Sequence, residues 1–370
     1  MLYQSIYKEE NMKRKSLAIL TVTALTCGII SGCGGSTQTA TSAAASAEST
    51  AAETSAAESG ASETTKSAET SAAASSSWKP EKDLSAIVYW GAGGTTDTCV
   101  RGVINSIPEG ELEKNIIVSN VAGGSGLVGF QQFMSADADG YTIGVYNCDM
   151  VLNYVLGNTD IDSSKIVPLA CIEQDPYLLI VKKDAPYDTF EEFVDYCKEH
   201  PGEVSIGDTG SGAVPHLVYT ALNKGLGLET STVAYDSSGD SVIAVVSGEC
   251  TATVAAPGVA KGQLDAGEVK ALACSGQKRL DAYPDVPCMS ELYDEISDMN
   301  ILSWITVCVK EGTPDGAVSY LQKIFQDGAA SDSYKETLQG FGFQSVPAMD
   351  HDEMLKFVAD QQAYYESVAK

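Results

Sequence analysis

The chain has 370 residues, 44% of them hydrophobic, with 50 acidic against 23 basic side chains and a formal net charge of −27. That balance excludes binding to nucleic acid, or to anionic lipid headgroups, by bulk charge, since such surfaces are met by clustered Lys and Arg. The length admits two domains of ordinary size with proper cores.

In chain order, Lys13-Arg14-Lys15 leads into a mostly apolar run from Leu17 to Ile30, too short to span a bilayer and flanked as a signal peptide is. Ile30-Ser31-Gly32-Cys33 closes that run as a lipobox. The expectation is a leader over 1–32, cleavage before Cys33, and acylation of Cys33, which anchors the protein by lipid to the outer face of the cell membrane. Loss of the leader removes four basic and two acidic side chains and leaves a charge near −29. From Gly34 to about Ser77 the chain is nearly all Ala, Ser, Thr and Glu, so the lipidated Cys33 and the segment to residue 79 are read as a disordered tether. Its root-mean-square span is about 35 Å.

Beyond the tether, β-rich runs alternate with helical segments: 86–90, 115–119, 141–146, 177–182, 204–207, 232–235, 251–255, 269–274 and 304–309. That alternation predicts an α/β fold. Thr189-Phe190-Glu191-Glu192 reads as a capping box before a helix that stops at Pro201-Gly202, and Asp350 to Glu353 reads as the start of a long terminal helix. After the leader and the lipidated residue are set aside, eight Cys remain, without C-x-x-C or zinc spacing and mostly inside apolar runs. Buried thiols are expected, with disulfides as the alternative.

Three glycine clusters lie where strands give way to helices: Gly91-Ala92-Gly93-Gly94-Thr95-Thr96-Asp97, Gly123 to Gly129, and Gly207-Asp208-Thr209-Gly210-Ser211-Gly212. In open α/β sheets ligands collect at the carboxyl ends of strands, and glycine-rich backbone beside a helix start suits an oxyanion. The plainer reading of each cluster is a tight turn that requires positive φ. No P-loop, no strict Gly-x-Gly-x-x-Gly and no Gly-x-Ser-x-Gly elbow is present, and three His supply no metal or catalytic centre. Neither catalysis nor a cofactor is expected. His216 reads either as a helix-start residue bonded to its own loop or as a ligand contact.

Read in order, these segments resemble the extracytoplasmic receptors of tripartite tricarboxylate transporters, the TctC or Bug-type family. The resemblance rests on Ile87 to Asp97, on Ser119-Asn120 followed by Gly123 to Gly129, on Asp139-Gly140-Tyr141-Thr142, and on Gly207 to His216. It continues through Tyr235 with Gly239, Ser247-Gly248-Glu249, Lys278-Arg279, Pro284-Asp285-Val286-Pro287 and Gly312-Thr313-Pro314. Four features depart from the family pattern: Tyr89 for Pro, Val121-Ala122 for Arg-Pro, the strand end Tyr146-Asn147-Cys148-Asp149 for small hydroxyl residues, and Asp236 where Lys is frequent. Asp149 reads as a helix cap or a cleft acid, and Asp236 as a loop turn or a cleft acid.

The resemblance implies a two-lobed, type II periplasmic-binding-protein-like (Venus flytrap) fold with a hinge, the first lobe over 80–181 and 306–370, the second over 182–305, and crossover strands at 177–182 and 304–309. The cleft would be lined by Trp90, Gly91, Ala92, Gly93, Thr96, Asp97, Asn147 and Asp149 on one side. On the other it would be lined by Thr209, Gly210, Ser211, His216, Tyr235, Asp236 and Ala256. The ligand implied is a small carboxylated solute: an amino acid, a hydroxy acid, or a di- or tricarboxylate. The acids at 149 and 236 favour one that also carries an amino, amide or hydroxyl group. The partners implied are a small and a large membrane subunit of the transporter, served by a monomer. A sensor that presents ligand to a signalling receptor is the second reading.

Overall fold

The computed structural model describes residues 78–369 apart from Asp236 and Ser345. The leader, Cys33, the tether up to residue 77 and Asp236 therefore lie outside the described residues. The elements begin with β1 (Leu84–Val88), α1 (Thr95–Asn105), β2 (Ile116–Asn120), α2 (Leu127–Ser135), β3 (Thr142–Asn147), α3 (Cys148–Val155), β4 (Ile166–Pro176) and β5 (Leu178–Lys182). They continue with α4 (Phe190–Glu199), β6 (Ser205–Asp208), α5 (Val214–Leu226), β7 (Ser231–Ala234), α6 (Ser238–Ser247), β8 (Ala252–Ala255), α7 (Pro257–Asp265) and β9 (Val269–Cys274). The last are β10 (Leu302–Lys310), α8 (Asp315–Ala330), α9 (Asp332–Phe341) and α10 (His351–Ala369).

The strands form two five-stranded sheets, ordered β2-β1-β3-β10-β4 and β7-β6-β8-β5-β9. In the first, β1 runs parallel to β2 and β3 while β10 runs antiparallel to β3 and β4. In the second, β6 runs parallel to β7 and β8 while β5 runs antiparallel to β8 and β9. Strands stand at both expected crossover positions, but neither runs through both sheets: residues 178–181 pair in the second sheet and 302–305 in the first, which differs from the expected lobe boundaries at 181 and 306. Because β5 pairs only within the second sheet and β10 only within the first, the chain passes between sheets over residues 176–178 and again at 301–302.

All nine runs read as strands appear as strands. The tenth, β4, is absent from the sequence reading because Pro168, Glu173, Gln174, Asp175 and Pro176 look like strand breakers. It survives as an edge strand, the place in a sheet where Pro is tolerated, and its ladder with β10 slips between Ile305 and Thr306 and again between Val307 and Cys308. Both capping expectations hold. Thr189 and Glu192 bond reciprocally at the start of α4, and Asp350 and Glu353 do the same ahead of α10.

Tyr89, the first departure from the family pattern, has a structural explanation. The side chain is fully buried, its hydroxyl accepts the Val145 N–H at 3.1 Å, and its ring occupies the space over Gly129 and Gly144. A Cβ at Gly129 would lie 2.6 Å from the Val121 carbonyl oxygen and 2.8 Å from the Tyr89 ring. Gly129 is therefore needed for close packing rather than for a ligand. Gly129→Ala should cost about 2 kcal/mol or more and lower the melting temperature by several degrees. Gly262→Ala, in α7 with open space around it, should be neutral or stabilising by up to about 1 kcal/mol. Thermal unfolding of the two variants beside the parent measures both.

Candidate functional site

The loop after β1 is shaped by Asp97. Its Oδ2 accepts the Gly93 N–H at 2.9 Å, and its Oδ1 accepts from Arg101 Nε and Asn120 Nδ2, each at 2.9 Å. Asn120 Nδ2 also donates to the Trp90 carbonyl at 3.0 Å. Burial alone would push the Asp97 carboxyl up, yet the bonds from Gly93, Asn120 and Arg101 hold it below its ordinary value. Asp97 thus commits both oxygens inside its own lobe and orders the loop, leaving Gly91, Ala92 and Gly93 exposed. Gly93 has φ 79°, so the turn requires glycine there. Gly94 caps α1 without a side-chain bond, so the first-turn amides of this helix have no side-chain acceptor at the cap. Thr96 is buried in that first turn. Trp90 is half-buried and its ring lies over Gly126, against which the Met150 side chain also packs.

The loop after β6 is organised by a second acid, Asp208. Its Oδ1 accepts the Gly210 N–H at 2.7 Å, while Oδ2 accepts the Tyr219 hydroxyl at 2.6 Å and pairs with His216 Nδ1 at 2.8 Å. Burial would raise the Asp208 carboxyl, but His216, Tyr219 and Gly210 together hold it low. His216 therefore has Nδ1 committed to its own loop. Its side chain is still 30% exposed. Thr209 and Gly210 are partly exposed and Ser211 is exposed.

The two lobes meet at the start of α5. Ala213 gives this helix no side-chain cap, and Pro215, its second residue, has no N–H to offer. The missing cap comes from the other sheet. Asp149 in the first turn of α3 accepts the Val214 N–H through Oδ1 at 3.0 Å, and Asn153 Nδ2 donates to the Gly212 carbonyl at 3.3 Å. Gly212 is packed so tightly there that a Cβ would meet Asn153 Oδ1 at 3.0 Å and Ser125 Oγ at 3.3 Å. Loss of hydration pushes the Asp149 carboxyl up to about 6, against the pull of Val214 N–H and Asn147 Nδ2. Asn147 is buried and caps α3 through the Met150 N–H.

Other expected cleft residues lie less openly. The Tyr235 ring rests on Gly207 and its hydroxyl is buried, while Ala256 is buried at the start of α7. The sequence reading does not single out Asn153, Tyr219 or the carboxylate of Asp208. Two of these have a usable signal: Asn153 follows Asp149 by four residues and Tyr219 follows His216 by three, so each shares a helix face with its partner.

Two mixed sheets linked by two passages, with uncapped helix starts at the carboxyl ends of their parallel strands, define an α/β solute-binding protein of the two-lobed kind. The family model described as "Tripartite tricarboxylate transporter family receptor" (TctC) matches residues 100–370. The chain belongs to that family, one of extracytoplasmic solute-binding receptors that are in general not enzymes. It is 27% identical over 284 residues to a UPF0065 protein of Bordetella pertussis, covering 76% of this chain and 87% of that protein. It is 25% identical over 287 residues to the protein BugT of the same species, covering 76% and 86%. Among solved structures it shares the fold of MatC from Rhodopseudomonas palustris with bound malate, at TM-score 0.71 and 22% identity over 79% of this chain and 100% of that one. It also shares the fold of an R. palustris protein solved with adipate, at TM-score 0.69 and 24% identity over 78% and 97%.

Asp149 makes stability depend on pH in a definite direction. With its folded value raised to about 6 above an unfolded value near 3.9, the stability it contributes is complete below about pH 4 and is lost as pH rises through 6. Asp149→Asn keeps an oxygen for the Val214 N–H but carries no charge. The variant should match the parent near pH 4 and exceed it by on the order of 3 kcal/mol at pH 8. Unfolding of both proteins at the two pH values tests this, and a pH-independent difference contradicts it.

Proposed function

We propose that the protein is a lipoprotein, anchored through Cys33, that captures a small carboxylated solute between its lobes and delivers it to the small and large membrane subunits of a tripartite tricarboxylate transporter. The solute carboxylate is received by backbone N–H groups of the 91–94 loop and the uncapped start of α1, with Thr96 beside them and Trp90 as a wall. Thr209, Gly210, Ser211 and His216 close on it from the second lobe, with Tyr235 and Ala256 behind them. Closure by hinge motion sequesters the ligand without making or breaking a bond.

The observation that carries this reading is the Asp149 to Val214 bond, by which a carboxylate of one lobe sits on the amide of the other. An oxyanion is thus what the start of α5 accepts, as its partial positive charge favours. MatC with malate and the R. palustris protein with adipate are carboxylate binders of the same fold, which supports the solute class. Asp149 Oδ2 has only a 3.5 Å contact from Asn147 Nδ2 and so retains capacity for a donor. An amino, amide or hydroxyl group on the solute supplies that donor, whereas a second bare carboxylate brought to the same point is repelled.

A thermal-shift panel of amino acids, hydroxy acids, malate, adipate, succinate and citrate tests the reading. A ligand at about 100 times its Kd should raise the melting temperature by about 5 °C. Stabilisation by amino or hydroxy acids is expected. Stabilisation by adipate or succinate alone rejects the donor-bearing solute, and none by any acid rejects carboxylate capture.

A further inference from the structure

Ser275, directly after β9, ties together both passages between the sheets. Its N–H donates to the Tyr177 carbonyl at 2.9 Å, and its Oγ accepts the Tyr177 N–H at 3.0 Å. The same Oγ donates to the Ile301 carbonyl at 2.5 Å, and the Ser275 carbonyl accepts the Ile301 N–H at 3.0 Å. Ser275 is fully buried. Tyr177 belongs to the first passage and Ile301 to the second, so one residue holds the two hinge segments in register.

The residue before this knot is Cys274. Its N–H donates to the Pro287 carbonyl at 2.8 Å, it forms an isolated parallel bridge with Cys288, and its Sγ lies 3.5 Å from Cys288 Sγ. Both cysteines are fully buried. Neighbouring strands sit about 4.8 Å apart, inside the roughly 4.4–6.8 Å spacing of Cα atoms that a disulfide bridges. Among the described residues this is the one hydrogen-bonded pair of thiols. Between them the chain loops out from Gly276 to Pro287, and Arg279 pins that loop by pairing with Glu291 and by donating to the Pro284 carbonyl at 3.1 Å. Backbone at both ends and a salt bridge in the middle already hold the two sulfurs side by side.

We propose that Cys274 and Cys288 are a disulfide-forming pair whose bond, made while the chain folds outside the cytoplasm, braces the Ser275 hinge knot. One thiolate attacks the sulfur–sulfur bond of a disulfide-bearing oxidant and expels one of its sulfurs as a thiolate. The second thiolate then displaces the other oxidant sulfur from the mixed disulfide, forming the Cys274–Cys288 bond. The two cysteines lose two electrons and two protons, and the oxidant leaves as two thiols. Burial pushes both cysteine thiols up, so the folded pair is poorly reactive and the bond forms before the site closes over.

The test uses the whole chain, denatured and refolded with reduced and oxidised glutathione, then alkylated in denaturant without reductant. Two fewer alkylations than in a reduced control are expected, together with a species joining the Cys274 and Cys288 peptides after digestion with trypsin and a glutamate-specific protease, since Lys278 and Arg279 lie between the two cysteines and Glu291 and Glu295 separate Cys288 from Cys308. Closing so short a loop should raise the melting temperature by about 5–10 °C relative to the reduced protein. Cys288→Ser should lose both effects; if that variant does not fold, the peptide map of the parent still decides. Equal alkylation with and without glutathione, or a crosslink between other cysteines, overturns the pair. Amide exchange at Tyr177 and Ile301 should slow at least about tenfold in the oxidised protein. A bond that forms while those amides exchange unchanged overturns the hinge role.

Discussion

A helix that cannot cap itself is the constraint around which the cleft is built. The start of α5 has Ala213 at its cap and Pro215 in its first turn, so Val214 is the first amide that must find an acceptor. The acceptor comes from Asp149, 65 positions earlier, on the helix that follows β3 of the other sheet. The contact between the lobes at this point and the capping of α5 are therefore one interaction. In the proposed function, a solute on this side of the cleft either displaces Asp149 from Val214 or bonds to the oxygen that Asp149 leaves free. Asn153 and Ser125 reinforce the contact around Gly212, which fits only because it has no side chain.

Asp149 belongs to a wider acidic region built from hydrogen bonds rather than ion pairs. Glu173 and Asp175 are both fully buried on β4, close to where the chain leaves the first sheet. Glu173 accepts from Ser303 Oγ at 2.9 Å while its Oε1 has no partner, and Asp175 accepts the Gln344 N–H at 3.2 Å. Burial pushes Glu173 well up, with further contributions from the charges of Asp175 and Asp149. Register places Asn147, Ile305 and Glu173 in one row across β3, β10 and β4, so the helix-capping Asn147 and the buried acid share a level of the sheet. Protons, rather than ion pairs, are what buried carboxyls such as Glu173, Asp175 and Asp149 favour.

Much of this architecture was legible because strand runs and capping boxes are local. The alternation of β-rich and helical segments carried the α/β class, and Thr189 with Glu192 marked the start of α4. β4 was not legible, since its acids and prolines are tolerated only at an edge that pairing creates. The three glycine clusters look alike in sequence yet do different work. Gly93 and Gly210 take positive φ in exposed or partly exposed loops at strand ends, whereas Gly129 makes room for Tyr89. The Asp149 bond to Val214 and the approach of Cys274 to Cys288 join residues whose spacing carries no periodic signal. Where a helix did put partners on one face, as for His216 with Tyr219, the pairing was available to be read.

The overall charge of −27 and the carboxylate-binding cleft proposed above are compatible because they act over different distances. Exposed charges are screened beyond about 8 Å at physiological ionic strength, so the acidic surface mainly slows the approach of an anion. Inside the cleft the relevant partners are backbone amides. Asp97 and Asp208 each fold a glycine loop by accepting its N–H groups internally, at Gly93 and Gly210. Their negative charge is thereby answered within the lobe, by Arg101 and Asn120 in one case and by His216 and Tyr219 in the other. Acids so satisfied can organise a carboxylate receptor from beneath, while Asp149, whose second oxygen is poorly met, is the acid to which the proposed function assigns discrimination among solutes.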